Sequence, residues 1–343
     1  MKSFDEAAAK IWEILDDTDQ ILIPLHLYPD GDSVSSALSF AHVLGNLEKN
    51  VVVSSTDPIS GFEFLPGFSD IQQKDFADFD FEEFDLILFL DSSYASDGVI
   101  FRHTRENVLI PDQLVKVLID HHPHPRKYPS FSATIVDRDS AATAEILYNL
   151  FNNWKLEISA DLATILLVGL LADTGIFRFS NTSKATFEIA GDLLDKSVDY
   201  DRVIFHFLKQ ISVQSLALWA VILDNVYVDE DVGVLLSTVS VEDFDSLGIS
   251  QAEFNHARSN ALGMFFQHVR GTEIGILLTE TVPGQVRGSL RSRTGVDVSE
   301  IAKRLGGAGH TLAAGFSLEM DVESAQDKVL KIASGYLEEG TAQ

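Results

Sequence analysis

Four short segments of the chain carry residue types that bind divalent cations: His26-Leu-Tyr-Pro-Asp30-Gly-Asp32-Ser33, Asp91-Ser-Ser, Asp120-His121-His122 and Asp173-Thr-Gly175. Each alone has a plainer explanation. Pro-Asp-Gly is a common turn, so Asp30 or Asp32 can serve only as a turn or cap residue. A histidine pair is ordinarily a surface feature or a satisfied polar contact, and Asp91 or Asp173 can simply cap a helix. Convergence changes the reading. Asp30, Asp32, Asp91 and Asp173 gathered at one place repel strongly unless cations neutralise them. Imidazole and carboxylate donors without thiolate suit Mn²⁺, with Co²⁺, Zn²⁺, Fe²⁺ or Mg²⁺ as alternatives. A bridging carboxylate can hold two ions about 3.5–4 Å apart, the spacing used for in-line attack at phosphorus. Pro29-Asp-Gly-Asp32 also suggests a calcium loop, but two histidine-bearing segments have no place in a hard oxygen site.

The elements around these segments explain how they meet. Ile21–Leu25, Val51–Val53, Asp85–Asp91 and Val115–Asp120 are short apolar runs. Such runs suit strands buried on both faces of a parallel sheet. Ligands collect beyond the carboxyl ends of such strands. Phe4–Leu15 is predicted as an amphipathic opening helix, and Ser33 is placed as the N-cap of a helix over Val34–Leu47. Further helices are predicted over Ser140–Phe151, Ala160–Leu171 and Ser183–Asp195, with a loop-like stretch from Asp57 to Asp85. The second half places strands at Val232–Val239, Glu273–Thr279 and Gln285–Leu290 and helices at Gln251–Gly263, Val298–Leu305 and Val322–Leu337. The expected fold is α/β: an N-terminal domain with a parallel sheet and helices on both faces, plus a smaller C-terminal α/β domain with a mixed sheet. The boundaries are read as 1–200, a helical connector over 201–226, and 227–343.

The order His-x-x-x-Asp-x-Asp, Asp, Asp-His-His, Asp-Thr-Gly is similar to the four motifs of the DHH phosphoesterase family, with Asp120-His121-His122 as the triplet of that name. Gly306-Gly-Ala-Gly-His310, followed by Ala313-Ala-Gly315, resembles the glycine-rich substrate loop of the domain associated with that family, and Gly288-Ser-Leu-Arg291-Ser-Arg293 fits the same domain. The resemblance runs from about Ile21 to Phe316. It implies that His26, Asp30 and Asp91 hold one ion, and that Asp32, Asp91, His121 and Asp173 hold another. By the same resemblance Asp120 orients an imidazole, while His122 faces the substrate phosphate or the leaving oxygen. Ala308 departs from the pattern, standing where the family loop has glycine.

The mechanism expected from this set is attack on phosphorus by a hydroxide bridging two ions. Arg291 stabilises the equatorial oxygens and His122 assists the leaving group. Gly306, Gly307 and Gly309 are candidates to offer backbone amides to a terminal phosphate, with His310 and Arg291 adding charge-assisted bonds. Arg287 and Arg293 are lesser candidates, and His42, His103, His206 and His268 are read as structural or surface residues.

Composition narrows the substrate. The 343 residues are 45% hydrophobic and 22% charged. That is a balance for folded domains. There is no cysteine, which excludes disulfides and thiolate chemistry. No export signal opens the chain. A membrane helix needs roughly 20 apolar residues. The longest nearly apolar run, Ala163–Ala172, falls well short of that. A soluble cytoplasmic enzyme is therefore expected. Fifty-two acidic against 25 basic residues give a formal charge of −27. Such a surface repels long polyanions, although solubility or a salty habitat explains the acidity equally well. The expected substrates are short oligoribonucleotides, pAp or pApA, cleaved to mononucleotides without long DNA or a membrane as partner. Cyclic di-AMP, polyphosphate or pyrophosphate hydrolysis, and an inactive nucleotide-binding module, are the alternatives. A homodimer accords with base rates.

Overall fold

The computed structural model describes residues 3–92, 103–104, 108, 110–122, 131–208 and 211–341, with backbone alone at 252, 256, 310, 340 and 341. The chain forms two compact units, 1–209 and 210–343.

In the first unit, Ser3 and Glu6 form a capping box that starts α1 (Phe4–Asp16), which buries Ala7, Ala8, Ile11, Ile14 and Leu15 at helical spacing. There follow β1 (Gln20–Pro24), α2 (Gly31–Asn46), β2 (Asn50–Ser55), β3 (Gln72–Gln73), β4 (Leu86–Leu90), β5 (Val115–Asp120) and β6 (Ala133–Val136). Among the described residues, four further helices complete it: α3 (Thr143–Asn153), α4 (Ala160–Asp173), α5 (Lys184–Leu194) and α6 (Tyr200–Leu208). The six strands are all parallel, in the order β3-β2-β1-β4-β5-β6. One face, through Ile21, Ile23, Leu86, Leu88, Val117 and Ile119, shares a core with α1 to α5. The other face, through Leu22, Ile87, Phe89 and Leu118, is covered among the described residues by Phe76 and Phe79 and by the flanking Phe81 and Phe84, which stand in and beside two short 3₁₀ turns. These turns and β3 lie within the stretch read from sequence as loop.

Strand order reverses between β1 and β4. This is the switch point at which open α/β sheets bind ligands. The start of α2 differs from the expectation. Ser33 is not its N-cap; Asp30 is, accepting the Ser33 amide through Oδ1 at 3.0 Å. The helix therefore begins three residues earlier than predicted, and Asp32 lies inside its first turn.

The second unit contains α7 (Val213–Asp224), β7 (Tyr227–Asp229), β8 (Val234–Val239), α8 (Val241–Leu247), α9 (Gln251–Met264), β9 (Ile274–Val282), β10 (Gln285–Ser292), α10 (Val298–Arg304), β11 (Ala308–His310), β12 (Ala313–Leu318) and α11 (Val322–Thr341). Its sheet runs β11-β12-β10-β9-β8-β7 and is mixed, with β8 and β9 parallel and the other pairs antiparallel. The glycine-rich segment is thus largely a hairpin: Ala308 pairs with Gly315 and Gly309 with Ala314. Among the described residues, no single helix is long and apolar enough to cross a membrane.

Candidate metal centre and anion cavity

Three parallel strands deliver donors to one sheet edge. His26 follows β1, Asp91 follows β4, and Asp120 and His121 straddle the end of β5. Asp30 and Asp32 come from the start of α2 and Asp173 from the last residue of α4. The two helix ends can meet because Gly31 lacks a side chain: a β-carbon there would lie 2.6 Å from Ala172 Cβ. An acid at a helix C-terminus opposes the macrodipole, so the position of Asp173 costs stability unless a cation answers it.

Asp91 is the centre of the arrangement. It is 1% exposed, and its φ of 51° is left-handed. That conformation is uncommon for a residue with a side chain and marks functional sites. Its Oδ2 lies 3.7 Å from His26 Nε2, while its Oδ1 lies 3.6 Å from His121 Nε2. His26 Nε2 is also 3.8 Å from Asp30 Oδ1, and His121 Nε2 is 3.0 Å from Asp173 Oδ2. His26, Asp30 and Asp91 form one group of mutually close donor atoms, and Asp32, His121 and Asp173 form a second.

This donor set fits divalent ions. Separations of 3.6–3.8 Å exceed hydrogen-bond length. They are near the span of two ligands that each sit about 2.1 Å from a shared ion. His26 Nδ1 lies 2.8 Å from the Leu27 carbonyl oxygen. Donation there leaves Nε2 facing the carboxylates, as metal-binding imidazoles require. His121 Nε2 is buried without a hydrogen bond of good geometry. Asp32, fully buried, accepts the amides of Thr143 and Ala144 at 2.6 and 3.0 Å.

The electrostatics agree with this reading. Burial, then the charges of Asp91 and Asp173, push the Asp32 carboxyl well above its ordinary range, and burial also raises Asp173. Burial alone would raise Asp91, but His122 and His26 hold it well below the usual carboxylate range. Burial opposes the His26 cation, yet Asp30 and Asp91 outweigh it and push the pKa up to about 10. His121, likewise opposed by burial, is raised to about 9 by Asp173, Asp32 and Asp91. Acids that raise imidazole basicity in this way favour positive charge among them.

Asp120 and His122 adjoin Asp91, with His122 Nδ1 3.4 Å from Asp91 Oδ1 and both residues in one further group of close donor atoms with Asp91 and His121. Asp120 Oδ1 accepts the His122 amide and lies 2.9 Å from His122 Nδ1. Burial works against the His122 cation, but Asp120 and Asp91 raise it to about 11.

The second unit holds a cavity of about 310 Å³ lined by Arg258, Arg287, Arg291, Ser289, Ala308 and Gly309, among others. Among the described residues, no acid lines it. Arg258, 5% exposed, donates through Nη1 to Ser289 Oγ at 2.7 Å, and its Nε is buried without a hydrogen bond. Burial, then Arg287 and Arg291, pull its pKa down to about 10; burial also lowers Arg291. Cations that are desolvated and mutually repelled in this way suit an anion. Arg258 was not among the candidates read from sequence. With Phe254 and Leu262 it lies at four-residue spacing on the buried side of α9, a side that the weak apolar periodicity of this helix does not mark in the sequence. A charge is rare in such a place. Gly306 and Gly307 play a different part from the one expected, because their amides donate to the Lys303 and Ala302 carbonyls and close the end of α10. Arg293 donates to the Thr272 carbonyl, and the His310 side chain lies outside the described residues.

This fold and this site define a metal-dependent hydrolase acting on phosphate esters. Residues 20–170 match the DHH family N-terminal domain and residues 244–339 match the DHHA1 domain. The chain thus carries a DHH-family N-terminal domain and a DHHA1 domain. It is 29% identical over 325 residues to the bifunctional oligoribonuclease and PAP phosphatase NrnA of Thermus thermophilus, covering 91% of this chain and 88% of that protein. It is 25% identical to the protein of that name from Bacillus subtilis, covering 88% and 90% of the two chains. In fold it is similar to an exopolyphosphatase-related protein from Bacteroides fragilis, with a TM-score of 0.84, 23% identity, and coverage of 97% of this chain and 96% of that one.

Proposed function

We propose that this chain is a cytoplasmic two-metal phosphoesterase that hydrolyses short oligoribonucleotides, pApA or pAp to mononucleotides. The observation that carries the reading is Asp91, whose two carboxylate oxygens face two different imidazoles, as a carboxylate shared by two ions must. His26 and Asp30 would complete one ion position, and Asp32, His121 and Asp173 the other. Mn²⁺ is the ion best suited to these mixed donors. When bound, the ions supply an activated water and neutralise the phosphoryl oxygens.

The chain's own groups do the rest. Asp120 fixes the His122 ring through Nδ1 and its charge favours the protonated imidazole. His122 then donates a proton from Nε2 to the departing oxygen. In the second unit, Arg258, Arg291 and Arg287 hold a terminal phosphate. Ser289 positions Arg258, and Gly309, where a β-carbon would lie 2.3 Å from Ala314 Cα, lets the hairpin that lines the cavity close. An anion site lined by three arginines and no described acid suits a phosphate group. That agrees with short substrates and with a surface whose −27 charge repels long ones. The names of the relatives from Thermus thermophilus and Bacillus subtilis support the same substrate class. An inactive nucleotide-binding module is disfavoured because the donor set is complete.

The test is Mn²⁺-dependent hydrolysis of pAp, pApA, a five-residue RNA, cyclic di-AMP and pyrophosphate. AMP release from the first three is expected. Hydrolysis of pyrophosphate alone, or of cyclic di-AMP alone, would reassign the substrate, and silence across the panel would return the binding module.

A further inference from the structure

Helix α3 begins without a cap of its own. Ala142 holds the N-cap position and has no side chain able to accept the first amides. The Asp32 carboxylate accepts them instead, from Thr143 and Ala144. Thr143 also donates through its hydroxyl to Asp91 Oδ1 at 3.0 Å. One fully buried residue therefore touches two acids: Asp32 through the backbone and Asp91 through the side chain.

The hydroxyl bond acts on the freedom that matters most for a shared carboxylate. The terminal torsion of an aspartate is soft and nearly two-fold, so the side chain alone does not decide which oxygen faces His26 and which faces His121. The backbone of Asp91 is set by its left-handed φ and by its amide donating to the Ile119 carbonyl at 3.1 Å. Neither constraint fixes the carboxylate plane. The Thr143 hydroxyl holds Oδ1 at 3.0 Å, closer than His122 Nδ1 at 3.4 Å from the same oxygen, and it stands on the first turn of a helix whose amides already grip Asp32.

We propose that Thr143 is a positioning residue that locks the plane of Asp91 against Asp32, and so sets the spacing and affinity of the two ion positions. The inference rests on reading the cluster as a metal centre. Groups that orient metal ligands in this way typically contribute about 10- to 100-fold in metal affinity.

The test is calorimetric titration of the full chain with Mn²⁺ alone, comparing wild type, Thr143→Val and Thr143→Ser. Valine keeps the shape and the backbone amide but removes the hydroxyl; serine keeps the hydroxyl and removes the methyl. Thr143→Val is expected to bind Mn²⁺ about 10- to 100-fold more weakly, with Thr143→Ser within about threefold of wild type. The reverse order would mean that the residue acts by packing, and it would overturn the proposal. Should Thr143→Val fail to fold, weak Mn²⁺ binding by Thr143→Ser alone overturns it. Wild-type binding with an unchanged Thr143→Val rejects only this inference, whereas no binding by wild type rejects the metal centre and the inference together.

Discussion

A β-carbon on Gly169 would lie 2.8 Å from Asp32 Oδ1, and also 2.6 Å from Ser35 Oγ and 2.7 Å from Ala144 Cβ. The bare backbone of α4 thus makes room for the carboxylate that caps α3, while Ser35 donates to the Ile165 carbonyl across the same contact. Gly169→Ala is predicted to lower stability by about 1–3 kcal/mol, the usual result of overpacking, and to weaken Mn²⁺ binding by displacing Asp32. Gly191, in α5, has nothing within 4 Å of its missing β-carbon. Gly191→Ala should therefore be neutral or stabilise by about 0.5–1 kcal/mol. Denaturant unfolding of both variants checks the pair, and a Gly169→Ala protein as stable as wild type would contradict the packing described.

Metal affinity should rise with pH. In the ion-free protein, burial works against the imidazolium forms of His26 and His121, but their acidic neighbours prevail and raise the pKa values to about 10 and about 9. An imidazole must lose its proton to bind an ion, so each binding event below these values expels protons. Mn²⁺ affinity should increase steadily from about pH 6 to about pH 9. Titrations in buffers of different ionisation enthalpy should show net proton release. Affinity that stays flat across this range would mean that the imidazoles are not ligands.

The arginine cavity predicts selectivity for a terminal phosphate. Removing Arg258 by Arg258→Met deletes a charged donor from the buried arginine cavity, with an expected effect of about 1.5–3 kcal/mol, or roughly 10- to 100-fold in KM. The penalty should fall on 5′-phosphorylated dinucleotides and spare their 5′-hydroxyl counterparts. Equal losses on both would show that Arg258 supports the fold of the second unit and does not recognise substrate.

What could be read in advance follows from where the information resides. The donors at the strand ends were legible because apolar runs closing on Asp91 and Asp120 reveal both the strand and its carboxyl edge. The start of α2 was misplaced because Asp30 and Ser33 are both good caps, and only the backbone shows which side chain accepts the amide. Arg258 was missed because the apolar periodicity of α9 is weak, so its buried side does not stand out in the sequence. Gly169 and Thr143 act through contacts with α2 and with Asp91 that are remote in sequence, and no local pattern encodes them. The amides of Gly306 and Gly307 were assigned to a ligand because a glycine-rich stretch looks alike whether it binds phosphate or closes a helix.

The central claim is that Asp91 joins two ion positions, and counting bound Mn²⁺ tests it most directly. Equilibrium titration of the wild-type chain should reach about two ions per chain. Asp91→Asn keeps the shape but loses the charge of the shared ligand, so it should bind neither ion tightly and release no AMP from pApA. A single ion in the wild type, or full occupancy and turnover in Asp91→Asn, would contradict the account.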